Sequence, residues 1–213
     1  MRKAIIAFAV LAAATAATFG GAAATAATFG GRATDSSAAA LPCDGLPLGF
    51  MAPITGFVSF IGTEQLHWAQ YSIDRFNKAN GTSFTLSQWD TQDLDPKLAA
   101  LGATRLSADK TVFGVVGPAG SQEVRGAGPI FKKAGMPFLS GSATNADLTS
   151  GKYPTFFRVV GSDAQQAAQD AQFMIRKLKA KQVFILDDQS VYSTGLANTA
   201  GNVLRKAGVE VQR

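Results

Sequence analysis

The sequence predicts an α/β fold built on a doubly wound parallel sheet. Three observations carry this expectation. Short apolar segments alternate with amphipathic helical patterns through brief connections. Helix-start signals stand where the helical periodicity begins, as at Asp95-Pro96 and Ser162. Two apolar segments run directly into turns of small and hydroxyl-bearing residues, Gly117-Pro118-Ala119-Gly120-Ser121 and Ser140-Gly141-Ser142-Ala143-Thr144. Strictly alternating strands and helices imply parallel pairing with helices on both faces of the sheet.

The elements follow in order. Leu46–Met51 reads as a first strand, and a loop over 52–62 leads to a helix from about Thr63 to Lys78. Leu66, Ala69, Ile73 and Phe76 recur on one face of that helix, and Asn80-Gly81 stops it. Ser83–Trp89 alternates as a second strand. Asp95 followed by Pro96 places a cap and a first-turn proline at the start of a helix reaching about Leu106, with Leu98 and Leu101 facing inward. Thr111–Val116 is a third strand. A helix over Ser121–Ala134 follows; Pro129 is expected to kink or split it, and Gly135 ends it. Met136–Leu139 is a fourth strand and Phe156–Val160 another extended segment. Ser162 and Gln165 form a capping box for a helix reaching Lys181, with Ala164, Ala168, Ala171, Ile175 and Leu178 on one face. Val183–Leu186 reads as a buried strand. A helix from about Thr194 to Ala207 follows, with Tyr192 in the loop before it, and Val209–Val211 begins a last strand.

The first forty residues stand apart. Arg2 and Lys3 precede an uncharged, alanine-rich run from Ala4 to Gly31, which contains the tandem repeat Ala12–Gly21 and Ala22–Gly31. This pattern reads as a secretory signal followed by a flexible leader over 1–40, with an uncleaved membrane anchor as the alternative, since the run is long enough to span a bilayer. The formal charge is +5; of 20 basic residues, removing Arg2, Lys3 and Arg32 leaves 17 against 15 acidic. No basic stripe with interleaved aromatics remains, so nucleic acid is not an expected partner. Cys43 is the only cysteine and has no partner within the chain for a disulfide. A lipid anchor there and a free thiol are both compatible with the sequence.

Catalytic signatures are missing. There is no Gly-x-Ser-x-Gly elbow and no phosphate loop ending in Lys-Ser/Thr. One histidine, His67, falls on the polar side of the first helix, and one His with one Cys cannot assemble an ordinary zinc site. Asp90, Asp93 and Asp95 could hold a hard cation, or could serve caps and turns. Asp187 and Asp188 point to opposite faces of an extended segment and do not form a catalytic pair, although a loop-end carboxylate there could meet an ammonium group. The residues are those of recognition without covalent chemistry. Small residues admit a ligand close to the backbone, and N–H groups at a helix start favour an anion. Gly120, Ser121, Ser142 and Thr144 would form such a shelf, with Tyr192 covering it.

Taken together, these segments resemble the extracellular solute-binding proteins for branched-chain amino acids and related amides, type I periplasmic binding proteins that serve ABC transporters. The resemblance runs from about Leu46 to Val211. It rests on Ala52-Pro53-Ile54-Thr55-Gly56, Asp90-Thr91-Gln92 with Asp95-Pro96, Val115-Val116-Gly117 with Ser121, and Gly135-Met136-Pro137-Phe138. It continues through Ser142-Ala143-Thr144-Asn145 with Leu148, Phe156-Phe157-Arg158-Val159 and Tyr192-Ser193-Thr194-Gly195. It implies a first ligand-binding lobe over 44–157 and part of a second α/β lobe over 158–213, with the chain ending inside that second lobe. It further implies that Gly120, Ser121, Ser142, Ala143 and Thr144 line the first lobe and that Tyr192 closes from the second. Ile61 sits where relatives often carry an aromatic residue, and Ser142 replaces a usual alanine. The implied role is capture of a small amino acid or amide outside the cytoplasm, in the periplasm or extracellular space, and delivery to an ABC transporter permease. No cofactor or metal and no enzymatic activity is expected. A ligand-sensing module of the same fold and a hydrolase-type α/β enzyme are the alternatives. The segment from about Phe157 onward is expected to be loosely packed.

Overall fold

The computed structural model describes residues 43–213. The expected signal, the tandem repeat and the leader over 1–40 lie outside the described residues. Five parallel strands form the main sheet in the order β2-β1-β3-β4-β5: β1 Pro47–Ala52, β2 Thr85–Asp90, β3 Val115–Val116, β4 Phe138–Ser140 and β5 Phe156–Arg158. Pro47 stands opposite Thr85, Gly49 opposite Val115, and Phe138 opposite both Val115 and Phe156. Two further parallel strands, β6 Gln182–Phe184 and β7 Glu210–Gln212, form a separate small sheet. The helices are α1 Ser59–Asn80, α2 Pro96–Ala108, α3 Ser121–Ala134, α4 Asp163–Arg176 and α5 Val191–Lys206. A single 3-10 turn, Ala146–Thr149, links β4 to β5.

Successive residues of β1 face opposite sides of the sheet. Met51 enters the core shared with α2 and α3, where Ala99, Ala103, Leu106, Val124 and Phe131 pack. Phe50 and Ala52 enter a smaller core with Ile61, Leu66 and Ala69 of α1. Phe131, Phe138 and Phe156 stack through the larger core with ring centroids 4.8 and 5.1 Å apart. Pairs of this kind add about 0.5–1.5 kcal/mol to the stabilisation from buried area. A third cluster, Ala171, Leu204 and Val209, ties α4, α5 and β7 together.

Several helix signals match the structure directly. Asp95 accepts from the N–H groups of Lys97 and Leu98, Ser162 and Gln165 form the capping box, and Gly135 closes α3 in the left-handed conformation. Other expectations need correction. Helix α3 runs unbroken through Pro129, so the proline does not split it. Helix α1 begins at Ser59, four residues before the expected start, because carboxylates of the β2–α2 loop pin the chain just ahead of it. On α2 the buried face is Ala99, Gly102, Ala103 and Leu106, whereas Leu101 is 58% exposed. The cause is Trp89, whose indole lies against Gly102 and donates to the Leu98 carbonyl at 2.8 Å, turning the small residues inward. Helix α4 ends at Arg176 and Leu178 is exposed, since Lys179 turns to φ +54. Tyr192 belongs to the first turn of α5 and not to a preceding loop.

The sheets are not covered on both faces throughout. Leu139, Phe157 and Val159 are exposed on the side opposite Phe138 and Phe156. Strand β6 is shorter than expected and is not buried: Phe184 is exposed and Leu186 just beyond it is 89% exposed.

Candidate functional site

The strand order reverses between β1 and β3, which lead away to opposite sides of the sheet. In open α/β sheets this reversal leaves a crevice at the carboxyl ends of the strands. The loops after β1, β2, β3 and β4 all converge there.

Carboxylates organise the first two loops. Asp90 Oδ1 accepts from the N–H groups of Ile54 at 2.8 Å, Thr55 at 3.2 Å and Gln92 at 2.8 Å, and Oδ2 accepts from the Thr55 hydroxyl. Burial pushes the Asp90 carboxyl up, but these hydrogen bonds outweigh it and leave the group below its usual value. Asp93 accepts from Phe57 and Val58 N–H, and Asp95 caps α2. All three carboxylates are thus committed to backbone donors. Among the described residues no group of three His, Cys, Asp or Glu side chains has the geometry of a metal site. His67 is exposed on α1.

The β3 and β4 loops are stitched together by serines. Gly117, at φ +109, presses against the Met51 carbonyl where no side chain fits. Ser140 Oγ donates to the Pro118 carbonyl at 2.5 Å and accepts from Ala143 N–H at 3.0 Å. Ser142 Oγ donates to the Ala119 carbonyl at 2.7 Å and accepts from Gln65 Nε2 at 2.8 Å. Ser121 Oγ accepts from Asn145 N–H at 3.1 Å. The two small-residue loops are therefore one rigid wall, with the N-terminus of α3 set into it.

A cavity of about 170 Å³ opens on this wall. Ile61, Leu94, Ala119, Gly120, Ser121, Gln122 and Ser142 line it from the main sheet. Asp188, Ser190 and Tyr192 line it from the start of α5. Asn145 Nδ2 bridges the two sides by donating to the Val191 carbonyl at 2.9 Å. Ser190 caps α5 by accepting from Ser193 N–H, and Asp188 Oδ1 accepts from the Ser193 hydroxyl and Ser190 N–H. The Ser193 hydroxyl, followed by the Ser190 donors, holds the Asp188 carboxyl below its usual value, so it is ionised at neutral pH. Burial, then the charges of Asp163, Asp170 and Asp188, raises the Tyr192 phenol above its usual value, so it stays a hydrogen-bond donor.

Of the residues singled out from sequence, Gly120, Ser121, Ser142 and Tyr192 come together on this cavity. Ala143 does not reach it: the side chain is fully buried in the main core and the N–H is held by Ser140. Thr144 lines a separate shallow depression with Val160, Gly161 and Ser162. Ile61, the position where an aromatic residue was expected in relatives, lies on the cavity wall. Leu94 escaped notice because its segment drew attention for carboxylates; it enters the cavity from a backbone at φ +63, a conformation that leucine rarely adopts. Glu123, read only as a residue of the α3 pattern, proves fully buried behind the wall.

A parallel sheet with its crevice at the strand reversal, followed by a second small α/β unit, is the architecture of the type I periplasmic binding proteins. The chain belongs to the periplasmic binding protein family: the family model described as "Periplasmic binding protein" matches residues 45–213. A leucine-, isoleucine-, valine-, threonine- and alanine-binding protein from Pseudomonas aeruginosa is 30% identical over 174 residues, covering 81% of this chain and 46% of the relative. Among solved structures, a leucine-binding protein from Thermotoga maritima superposes with a TM-score of 0.70 at 27% identity, over 79% of this chain and 48% of that one. A branched-chain amino acid transporter substrate-binding protein from Streptococcus pneumoniae, solved with isoleucine, gives a TM-score of 0.69 at 29% identity, over 78% and 47% respectively. The chain thus spans about half the length of the relatives it matches. No helix among the described residues is long and apolar enough to cross a membrane.

Proposed function

We propose that this chain carries the capturing wall of an extracytoplasmic solute-binding protein that takes up a small amino acid, or its amide, for an ABC importer. The observation that carries this reading is the composition of the cavity shared by the β3 loop, the β4 loop and the start of α5. One side offers the Ser121 hydroxyl and the N-terminal N–H groups of α3, which suit a carboxylate. Ile61, Leu94 and Ala119 offer an apolar surface for a short aliphatic side chain. Tyr192 and Asp188 stand on the other side, where a phenol and a carboxylate suit a carbonyl oxygen and an ammonium group. The names of the relatives, which bind leucine, isoleucine and valine, support an amino acid as the ligand class.

In this reading residues 44–157 form the first lobe and residues 158–213 contribute to the second. A ligand touching both walls favours the closed arrangement by its differential affinity for it. No bond is made or broken. The relatives support delivery to a permease and a location outside the cytoplasm. Isothermal titration of the 213-residue chain with a panel of aliphatic amino acids and their amides tests the reading. Saturable heat with leucine or isoleucine, lost in Ser121→Ala, is the expected result. Equal binding by wild type and Ser121→Ala, or none across the panel, overturns it.

A further inference from the structure

Glu123 occupies the first turn of α3, immediately behind the cavity wall, and is fully buried. Its Oε2 accepts from Gly120 N–H, the half of a capping box that a glycine N-cap permits. Its Oε1 is buried without a hydrogen-bond partner, and so is the hydroxyl of neighbouring Thr91. A Cβ added at Gly120 would lie 2.8 Å from Glu123 Oε2 and 3.1 Å from Leu94 Cδ2. Glu123 therefore supports Gly120 from behind, and Leu94 packs beside the same glycine on the cavity wall.

Among the described residues no charged group answers this carboxyl. On the β2–α2 loop, Asp90, Asp93 and Asp95 are spent on backbone donors. On α2, Arg105 lies over the Trp89 ring and Lys97 is exposed. On α3, Arg125 pairs with Asp147 of the following 3-10 turn. An ionised carboxylate in such a place is poorly solvated. A neutral carboxylic acid can keep the Gly120 bond and also donate from Oε1 to the Thr91 hydroxyl, satisfying both orphan oxygens.

We propose that Glu123 is the positioning residue of the Gly120–Ser121 wall and that the cavity accepts an anionic ligand group with Glu123 protonated. The proposal rests on the reading of the cavity as a site for a ligand carboxylate. The reason is electrostatic. An ionised Glu123 cancels the positive end of α3 that a bound anion uses, and it sets a second negative charge across one residue of low-dielectric wall. Neutral Glu123 leaves that helix end free. Binding a carboxylate then draws a proton onto Glu123, and anion affinity falls as pH rises through neutrality. Burial, only partly offset by the nearby Thr91 hydroxyl and the Gly120 N–H, raises the Glu123 pKa to about 7, which places this response in the physiological range.

The test follows the Glu123 carboxyl by carbon NMR in the labelled 213-residue chain, with acetate as a carboxylate probe. The expected result is a midpoint near neutrality that moves up by about one unit in acetate relative to chloride. Leucine affinity, measured alongside, is expected to weaken about fivefold between about pH 6 and about pH 8, and to be flat with pH in Glu123→Gln. A Glu123 midpoint in the ordinary carboxylate range, or one that acetate leaves unmoved, overturns the proposal. So does a leucine pH profile unchanged in Glu123→Gln. An acetate response without leucine binding at either pH sinks the amino-acid reading and supports the coupling. Should Glu123→Gln fail to fold, the wild-type midpoint and its acetate response decide alone.

Discussion

Replacing Glu123 with Gln changes the pH dependence of folding in a direction and by an amount that the structure dictates. Glu123 is buried with no counter-charge, and its pKa rises from 4.5 to about 7. Between those two values the folded chain holds a proton that the unfolded chain has released. Stability therefore falls as pH climbs from about 4.5 to about 7 and levels off above that. That rise from 4.5 to about 7 corresponds to roughly 3 kcal/mol, at about 1.4 kcal/mol per pKa unit. Glutamine keeps an acceptor for Gly120 N–H and gains a donor toward Thr91, yet it does not titrate. Urea unfolding of both proteins at about pH 5 and about pH 8 isolates this group, because every other titration cancels in the difference. Glu123→Gln should gain up to about 3 kcal/mol on wild type between the two pH values, several degrees in Tm for a chain of this size. Parallel stability profiles for the two proteins would refute the reasoning.

Three further outcomes follow from the same geometry. Gly120→Ala should lose about 1–3 kcal/mol in urea unfolding, because its Cβ lies 2.8 Å from Glu123 Oε2, and should weaken leucine binding at the same time. Phe131→Ala removes one end of a buried aromatic stack and should cost about 3–5 kcal/mol with no change in the cavity. Asp90→Ala strips the clamp from the loop after β1, so the amides of Ile54 and Thr55 should exchange faster while those of the β1–β2 ladder stay protected. Asp90 has a lowered pKa, so its clamp is at full strength above about pH 4 and is lost as pH falls through the folded value.

Much of this fold is legible in the chain. Helix α3 begins at Ser121 and ends at Ala134, as the glycines on either side indicate, because Gly135 alone supplies the left-handed turn that stops it. Asp95 marks α2 because its side chain bonds to N–H groups that a helix start leaves bare, and Gln165 marks α4 by accepting from the Ser162 N–H. The convergence of the Gly117–Ser121 and Ser140–Thr144 turns is also readable, since adjacent parallel strands deliver their following loops to one edge. What escaped reading depends on contacts distant in sequence. Leu101 looks inward by periodicity, but the Trp89 indole sets the face that α2 presents. Leu94 reaches the cavity only because its loop is held at positive φ. Ala143 and Thr144 sit in a motif that promises ligand contact, and the local turn instead buries one and sends the other to a different depression. The open faces at Leu139, Phe157 and Leu186 are invisible in a sequence whose strands read as covered.

The central claim is that the wall joining Gly120, Ser121 and Ser142 to Tyr192 binds an amino acid. Calorimetric titration of the 213-residue chain with L-leucine, for wild type, Ser121→Ala and Tyr192→Ala, tests it most directly. The account predicts saturable one-to-one binding that Ser121→Ala abolishes and Tyr192→Ala weakens by about tenfold, as expected when one of two facing walls loses a hydrogen-bonding side chain. Binding indifferent to both substitutions, or no binding by wild type, would contradict it.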